Sequence, residues 1–110
     1  MKDLRTKLTW QQAAPEMSYA WMDASSYCAS LALDGSGWRL PSVGELQTIV
    51  DERRASPAID PTAFPATPID FFWTSSTLAG FTNFVWSIHF DYGIASFSDS
   101  AQLHRVRCVR

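Results

Sequence analysis

Val85-Trp86-Ser87-Ile88-His89-Phe90-Asp91-Tyr92-Gly93-Ile94-Ala95-Ser96-Phe97-Ser98 decides the fold. Successive strand side chains point to opposite faces, so Trp86, Ile88 and Phe90 share one face and Val85, Ser87 and His89 the other. Asp91-Tyr92-Gly93 interrupts the alternation with turn residues, which predicts a hairpin whose second strand is Ile94 to Ser98. Trp86 falls with Ile88 and Phe90 and is expected in the core. Ile94, Phe97 and Leu103 cannot all face inward on a period of two. Part of this segment is therefore expected to carry apolar side chains outward.

Upstream, Phe71 to Ser75 is a further strand candidate. Before it, Ser56 to Pro68 holds four prolines (57, 61, 65 and 68), an ordered loop with Ile59 and Phe64 as buried anchors. Two helical patterns lie nearer the N-terminus. Behind Ser18 as N-cap, Ala20, Trp21, Ala24, Tyr27, Cys28 and Leu31 recur at three- and four-residue steps, one face of an amphipathic helix ending near Leu33. Ser42-x-x-Glu45 is a capping box opening a second helix, with Leu46, Ile49 and Val50 as its apolar face. Arg53 and Arg54 follow near its C-terminal end, where cations are favoured. Trp38-Arg39-Leu40-Pro41 bridges the helices in extended form. Leu8 to Trp10 should start the sheet and Val106 to Val109 close it. Helices first and strands afterwards predict an α+β domain, with two helices packed on a small, mainly antiparallel sheet.

Composition narrows the function classes. A chain of 110 residues is long enough for one core, so residues 1–110 are expected to form a single domain. Charged residues make up only 18% and aromatic residues 14%. That apolar content argues against disorder. Nine basic against eleven acidic residues leave −2, with no global basic charge to attract nucleic acid. No apolar run is long enough for a membrane span. Met1-Lys2-Asp3-Leu4-Arg5 lacks the apolar core of a signal peptide. This fits either a cytoplasmic chain or a mature excerpt of a longer one.

Cys28 and Cys108 are the only cysteines, 80 residues apart, and no Cys-x-x-Cys is present to start a zinc site. Two readings stand side by side: two buried thiols, or one disulfide tying an early helix to the last strand. The second places the protein in an oxidising compartment, extracytoplasmic or at a cell surface.

Several segments, taken together and in order, resemble the Legionella collagen-like protein C-terminal domain family. They are Leu8-Thr9-Trp10-Gln11, Trp21-x-x-Ala24-x-x-Tyr27-Cys28, Trp38-Arg39-Leu40-Pro41-x-x-x-Glu45-Leu46, Ile59-Asp60 with Phe64-Pro65, Trp73-Thr74-Ser75-Ser76, and Arg107-Cys108-Val109-Arg110. The resemblance implies a C-type-lectin-like fold. It also implies a bond between the first-helix cysteine and the one in the last strand, here Cys28 and Cys108. Sugar-binding C-type lectins hold calcium through Glu-Pro-Asn or Gln-Pro-Asp with Trp-Asn-Asp, and this sequence has none of these. Asp91 and Asp99 are isolated acids, too few for an oxygen cage. Related formylglycine-generating enzymes use a redox cysteine pair. A helix cysteine joined to one near the terminus reads instead as structural.

Catalytic patterns are missing. His89 and His104 are the only histidines, with no third ligand placed beside them, and read as surface or ligand-contacting residues. Ser75 and Ser76 lie in no nucleophile elbow, Glu45 is explained by capping, and no Gly-rich phosphate loop is present. No catalytic residue, metal or cofactor is assigned. Trp10, Trp21, Trp38 and Trp73 are expected in the core.

The segment from Ser87 to Arg105 mixes aromatic anchors with small and charged groups, as binding surfaces do. The plain alternative is strand alternation with solvated turns. Its candidate ligand-binding residues are Ser87, His89, Asp91, Tyr92, Ile94, Ser96, Phe97, Asp99, Leu103, His104 and Arg105, with the Thr77 to Phe84 loop beside them. The stretch also resembles the variable region of diversity-generating retroelement targets with this fold. There, template adenines turn Asn codons into such residues, ahead of a fixed ending like Val106 to Arg110. The expected role is non-catalytic binding of a protein or glycan at a surface, with oligomerisation left open. One alternative is a calcium-independent adhesin for sulfated polysaccharide through Arg105, Arg107 and Arg110, with avidity from trimeric display. Others are an envelope structural domain and an enzyme with an unrecognised site.

Overall fold

The computed structural model describes residues 1–81 and 83–110. The architecture is α+β, with helices α1 (Trp21–Ser30) and α2 (Val43–Gln47) followed by strands β1 (Phe71–Thr77), β2 (Phe84–His89) and β3 (Ile94–Asp99). The strands form an antiparallel sheet in the order β1-β2-β3. Both the helical half and the antiparallel half therefore stand where the periodicity put them.

The sheet buries side chains on both faces, so the core is split in two. Phe72 and Trp73 are neighbours on β1 and must point opposite ways. Phe72 packs with Ile88, Phe90, Trp10, Leu46 of α2, and the loop anchors Ile59 and Phe64. Trp73 packs with Val85, Val106, Trp38, and Ala24 and Cys28 of α1. The disulfide Cys28–Cys108 crosses this second layer, with Cα atoms 5.5 Å apart. It joins α1 to the C-terminal segment, the pairing the family resemblance implies.

The second helix starts as its capping box predicts. Ser42 Oγ accepts from the Glu45 amide at 3.1 Å, and Glu45 Oε1 accepts from the Ser42 amide at 2.8 Å. The Arg39 guanidinium holds both Glu45 carboxylate oxygens, at 2.7 and 2.8 Å. With this fork as the main cause, the Glu45 pKa falls to about 2. The helix ends at Gln47, so Ile49 and Val50 pack on the core from beyond it. Arg53 and Arg54 do not serve the helix end. They pair with Asp51 at 3.2 and 3.0 Å.

Three other expectations shift. The first helix begins at Trp21, capped by Ala20 without a side-chain bond, and ends at Ser30. Ser18 is not its cap, because the chain ahead of the helix is held extended: Tyr19 exchanges backbone hydrogen bonds with His104 at 2.7 and 3.0 Å. Leu8 to Trp10 and Val106 to Val109 meet other segments in single bridges rather than continuous strands: Thr9 pairs with Lys2, and Trp10 and Arg39 each pair with Val109. The last segment changes partner too often to form a ladder. The Gln11 side chain even takes one backbone position, accepting from the Cys108 amide at 3.0 Å. Finally, Trp86 is half-buried rather than core. A five-residue helix is about 7.5 Å long. Placed over Phe72, Ile88 and Phe90, it leaves the Trp86 end of the strand uncovered.

Candidate functional site

The hairpin turn is seated, not free. Gly93 has φ of +76°, and a Cβ there would lie 2.2 Å from Val50 Cγ1, so only glycine fits both the turn and the contact. The Ser56 amide donates to Asp91 O at 2.7 Å, and the Ala58 amide to Phe90 O at 2.8 Å. The Ser56 hydroxyl also donates to the Asp91 carboxylate. The proline-rich loop thus braces the turn from below.

This bracing divides the eleven candidate residues. Five belong to the scaffold. Ser87 is fully buried, its hydroxyl 3.2 Å from that of Ser98. His89 packs edge-on against Phe71 and accepts the Asp91 amide on Nδ1 at 3.0 Å. Asp91 is bound to Ser56. His104 is buried, its ring centroid 4.6 Å from Trp73 and 4.9 Å from Phe71. It is not the surface histidine expected, because the Tyr19 pairing draws its backbone inward. Burial is the main cause that lowers its pKa, against an opposing pull from the Asp70 charge. Arg105 reaches Asp70 at 3.5 Å and donates to Glu16 O.

The other six point outward. Tyr92 is 65% exposed, Ile94 64%, Phe97 51% and Leu103 65%, and Ser96 and Asp99 are exposed with them. They do not form one face. Phe97 pairs with Trp86, and Ala95 with Ile88, so Phe97 and Asp99 lie on the α2 side of the sheet. Ser96 pairs with Ser87, placing Ile94 and Ser96 on the α1 side. What the hairpin displays is the rim of its edge strand, with apolar groups on both sides.

The structure adds residues that alternation did not reveal. Phe81, Phe84, Phe97 and Trp86 form a chain of edge-to-face rings with successive centroids 6.0, 6.0 and 5.8 Å apart. Phe81 and Phe97 are exposed; Phe84 and Trp86 are half-buried. Position 86 carries the only sequence signal: a tryptophan near the strand start, beyond the reach of a short helix. The Thr77 to Phe84 loop contributes Phe81 to this chain, while its Thr82 lies outside the described residues.

The three arginines proposed for an anion surface are otherwise engaged. Arg107 is 1% exposed and donates to Gln11 O at 2.7 Å, Gln12 O at 2.5 Å and Thr67 Oγ1 at 3.0 Å, with its guanidinium over the Phe64 ring. Burial pushes its pKa down to about 10, so it remains a cation at neutral pH. Arg110 stacks on Trp38 and donates to Ser36 O and Asp34 O. With Arg105 these side chains tie loops to the C-terminal segment instead of forming a shared basic face. Among the described residues, no three His, Cys, Asp or Glu side chains converge as a metal site. No described helix is long and apolar enough to cross a membrane.

The family model of the Lcl C-terminal domain matches residues 1–110. No curated protein matches the chain.

Proposed function

The chain belongs to the Lcl C-terminal domain family, and from that premise we propose that it is a non-catalytic binding and display module. The observation that carries this reading is the division of the hairpin segment. Tyr92, Ile94, Phe97 and Leu103 hold large apolar side chains in solvent, while Ser87, His89 and Asp91 before them and His104 and Arg105 after them are fixed into the scaffold. Isolated exposed apolar residues are ordinary. Four within twelve positions of sequence, along the rim of one edge strand and on both of its sides, with Phe97 continued by the half-buried Trp86 and Phe84, are exposed apolar surface of the kind found at interaction sites. Tyr92 and Phe97 are the anchors of this surface, and Ser96 and Asp99 its polar contacts.

The ligand is a protein or a glycan, met outside the cytoplasm; the Cys28–Cys108 disulfide is compatible with that compartment. Diversification by a retroelement would act usefully at the six outward positions. An adenine-rich template repeat beside a reverse-transcriptase gene is its genomic test.

Binding is tested on an array of glycans and purified surface proteins, using the wild type and the triple variant Tyr92→Ala, Ile94→Ala, Phe97→Ala. The triple variant should lose affinity at least about 30-fold, the loss expected from one hot-spot anchor, with its melting temperature nearly unchanged. Equal affinity would contradict the assignment.

A further inference from the structure

The two edges of the sheet are finished differently. The outer edge of β1 is covered: the Trp73 amide donates to Arg105 O at 3.0 Å, the Arg105 amide to Phe71 O at 2.9 Å, and the Ser75 amide to Pro41 O at 2.7 Å. Among the described residues, no strand pairs with the outer edge of β3. Outside its pairing with β2, the β3 backbone makes one described hydrogen bond, Asp99 O accepting from the Gln102 amide at 3.0 Å. An edge strand presents a row of unpaired N–H and C=O groups, and proteins ordinarily blunt it with charge, proline or a bulge. Ile94-Ala95-Ser96-Phe97-Ser98 has no charge and no proline, and its pairing with β2 is unbroken from Ile94 to Asp99.

We propose that this edge pairs with a second copy of the chain, β3 against β3, antiparallel and centred on Ser96. The register follows from the side chains. With Ser96 opposite Ser96, Phe97 faces Ala95 of the second copy and Ile94 faces Ser98 of the second copy. Each large residue then meets a small one, on both sides of the sheet. Centring on Phe97 would instead set ring on ring and Asp99 against Ala95.

Charge selects the same arrangement. Asp99 is the only ionisable residue of β3. In the antiparallel register its two copies lie six residues apart along the seam, about 20 Å at strand spacing, beyond the roughly 8 Å screening length at physiological salt. Parallel pairing would place them side by side. The proposal rests on the backbone edge and does not depend on the ligand or on the surface reading above. Tyr92 and Leu103 lie outside the paired strand.

Sedimentation velocity of the full chain from about 1 μM to about 1 mM tests it. A concentration-dependent dimer is expected. Ser96 is exposed, so Ser96→Lys should leave the melting temperature unchanged at dilutions where the wild type is also monomeric, while setting two ammonium groups face to face and keeping the protein a monomer at the higher concentrations. Under mild oxidation Ser96→Cys should form a covalent dimer, because directly opposed Cβ atoms lie about 5 Å apart, and Phe97→Cys should not. A wild type that stays monomeric throughout, a dimer that survives Ser96→Lys, or crosslinking through position 97 instead of 96 would each overturn the proposal.

Discussion

The rim of the hairpin and the C-terminal segment after it are neighbours in sequence and opposites in structure. From Tyr92 to Leu103 the large apolar side chains stand in solvent. From His104 to Val109 nearly everything is buried, including a histidine and an arginine. The two stretches share a vocabulary of aromatic, small and charged residues, so composition does not separate them. Tertiary bonds do. Arg105, Arg107 and Arg110 fasten the C-terminal segment to the loops at Glu16, Gln11–Gln12 and Asp34–Ser36, and Cys108 fastens it to α1. Among the described residues the rim is bonded to β2 and at its turn, and at Ser100, which accepts from the Trp21 amide at 3.1 Å and donates to Asn83 O at 2.8 Å. No described side chain ties its edge strand to a distant loop as the arginines tie the segment after it. A rigid base of this kind lets a neighbouring strand carry varied side chains without carrying stability.

This contrast predicts a ranking of substitutions. The largest effect belongs to the disulfide. Replacing Cys28 and Cys108 by serine frees an 80-residue loop. That should cost about 4.5 kcal/mol on the chain-entropy account, or on the order of 20 °C in melting temperature. A loss of only a few degrees would mean that the arginines, the buried Val106 and Val109 and the backbone bonds to Arg39 hold the C-terminal segment without the disulfide. Next is Arg107→Met, which leaves the Gln11 and Gln12 carbonyls without their donor and should cost about 2 kcal/mol in urea unfolding. Arg107→Lys keeps the charge but spans fewer of the three oxygens and should fall between.

Smaller is the helix start. Glu45→Gln weakens the capping box and the fork to Arg39 and should cost about 1 kcal/mol, since the pair is partly exposed. The pKa of Glu45 is depressed, so its contribution is complete above the ordinary value of 4.5 and is lost as pH falls toward about 2. The stability difference between wild type and Glu45→Gln should close over that window. His104 acts with the same sign at higher pH. Burial depresses its pKa below 6.5, so the stability it contributes above that value is lost as pH falls through its lowered folded value. Alanine at Tyr92 or Ile94 comes last, within about 0.5 kcal/mol of wild type.

Local rules were readable where local chemistry decided the outcome. Ser42 and Glu45 announced a helix start, and Asp91-Tyr92-Gly93 announced a turn. Alternation paired Val85 to Phe90 with Ile94 to Ser98 and predicted that some of Ile94, Phe97 and Leu103 would face outward. What the sequence did not disclose depends on distant partners. Ser87 is polar yet buried because Ser98, across the hairpin, satisfies its hydroxyl. Arg107 reads as a surface cation because the carbonyls that hold it belong to residues 11 and 12, at the other end of the chain. Trp86 reads as core because its strand gives no hint of how short the covering helix is. The cysteine pair stayed open on residue arithmetic, and the family resemblance supplied the pairing found in the structure.

The central claim is that the rim displays while the segment beside it supports. Its most direct test is a pair of display libraries scored for protease resistance of the folded domain. One randomises Tyr92, Ile94, Ser96, Phe97, Asp99 and Leu103; the other randomises Ser87, His104, Val106 and Arg107. Most rim variants should remain as resistant as wild type, and most support variants should be cut. Equal intolerance in the two libraries would contradict the account.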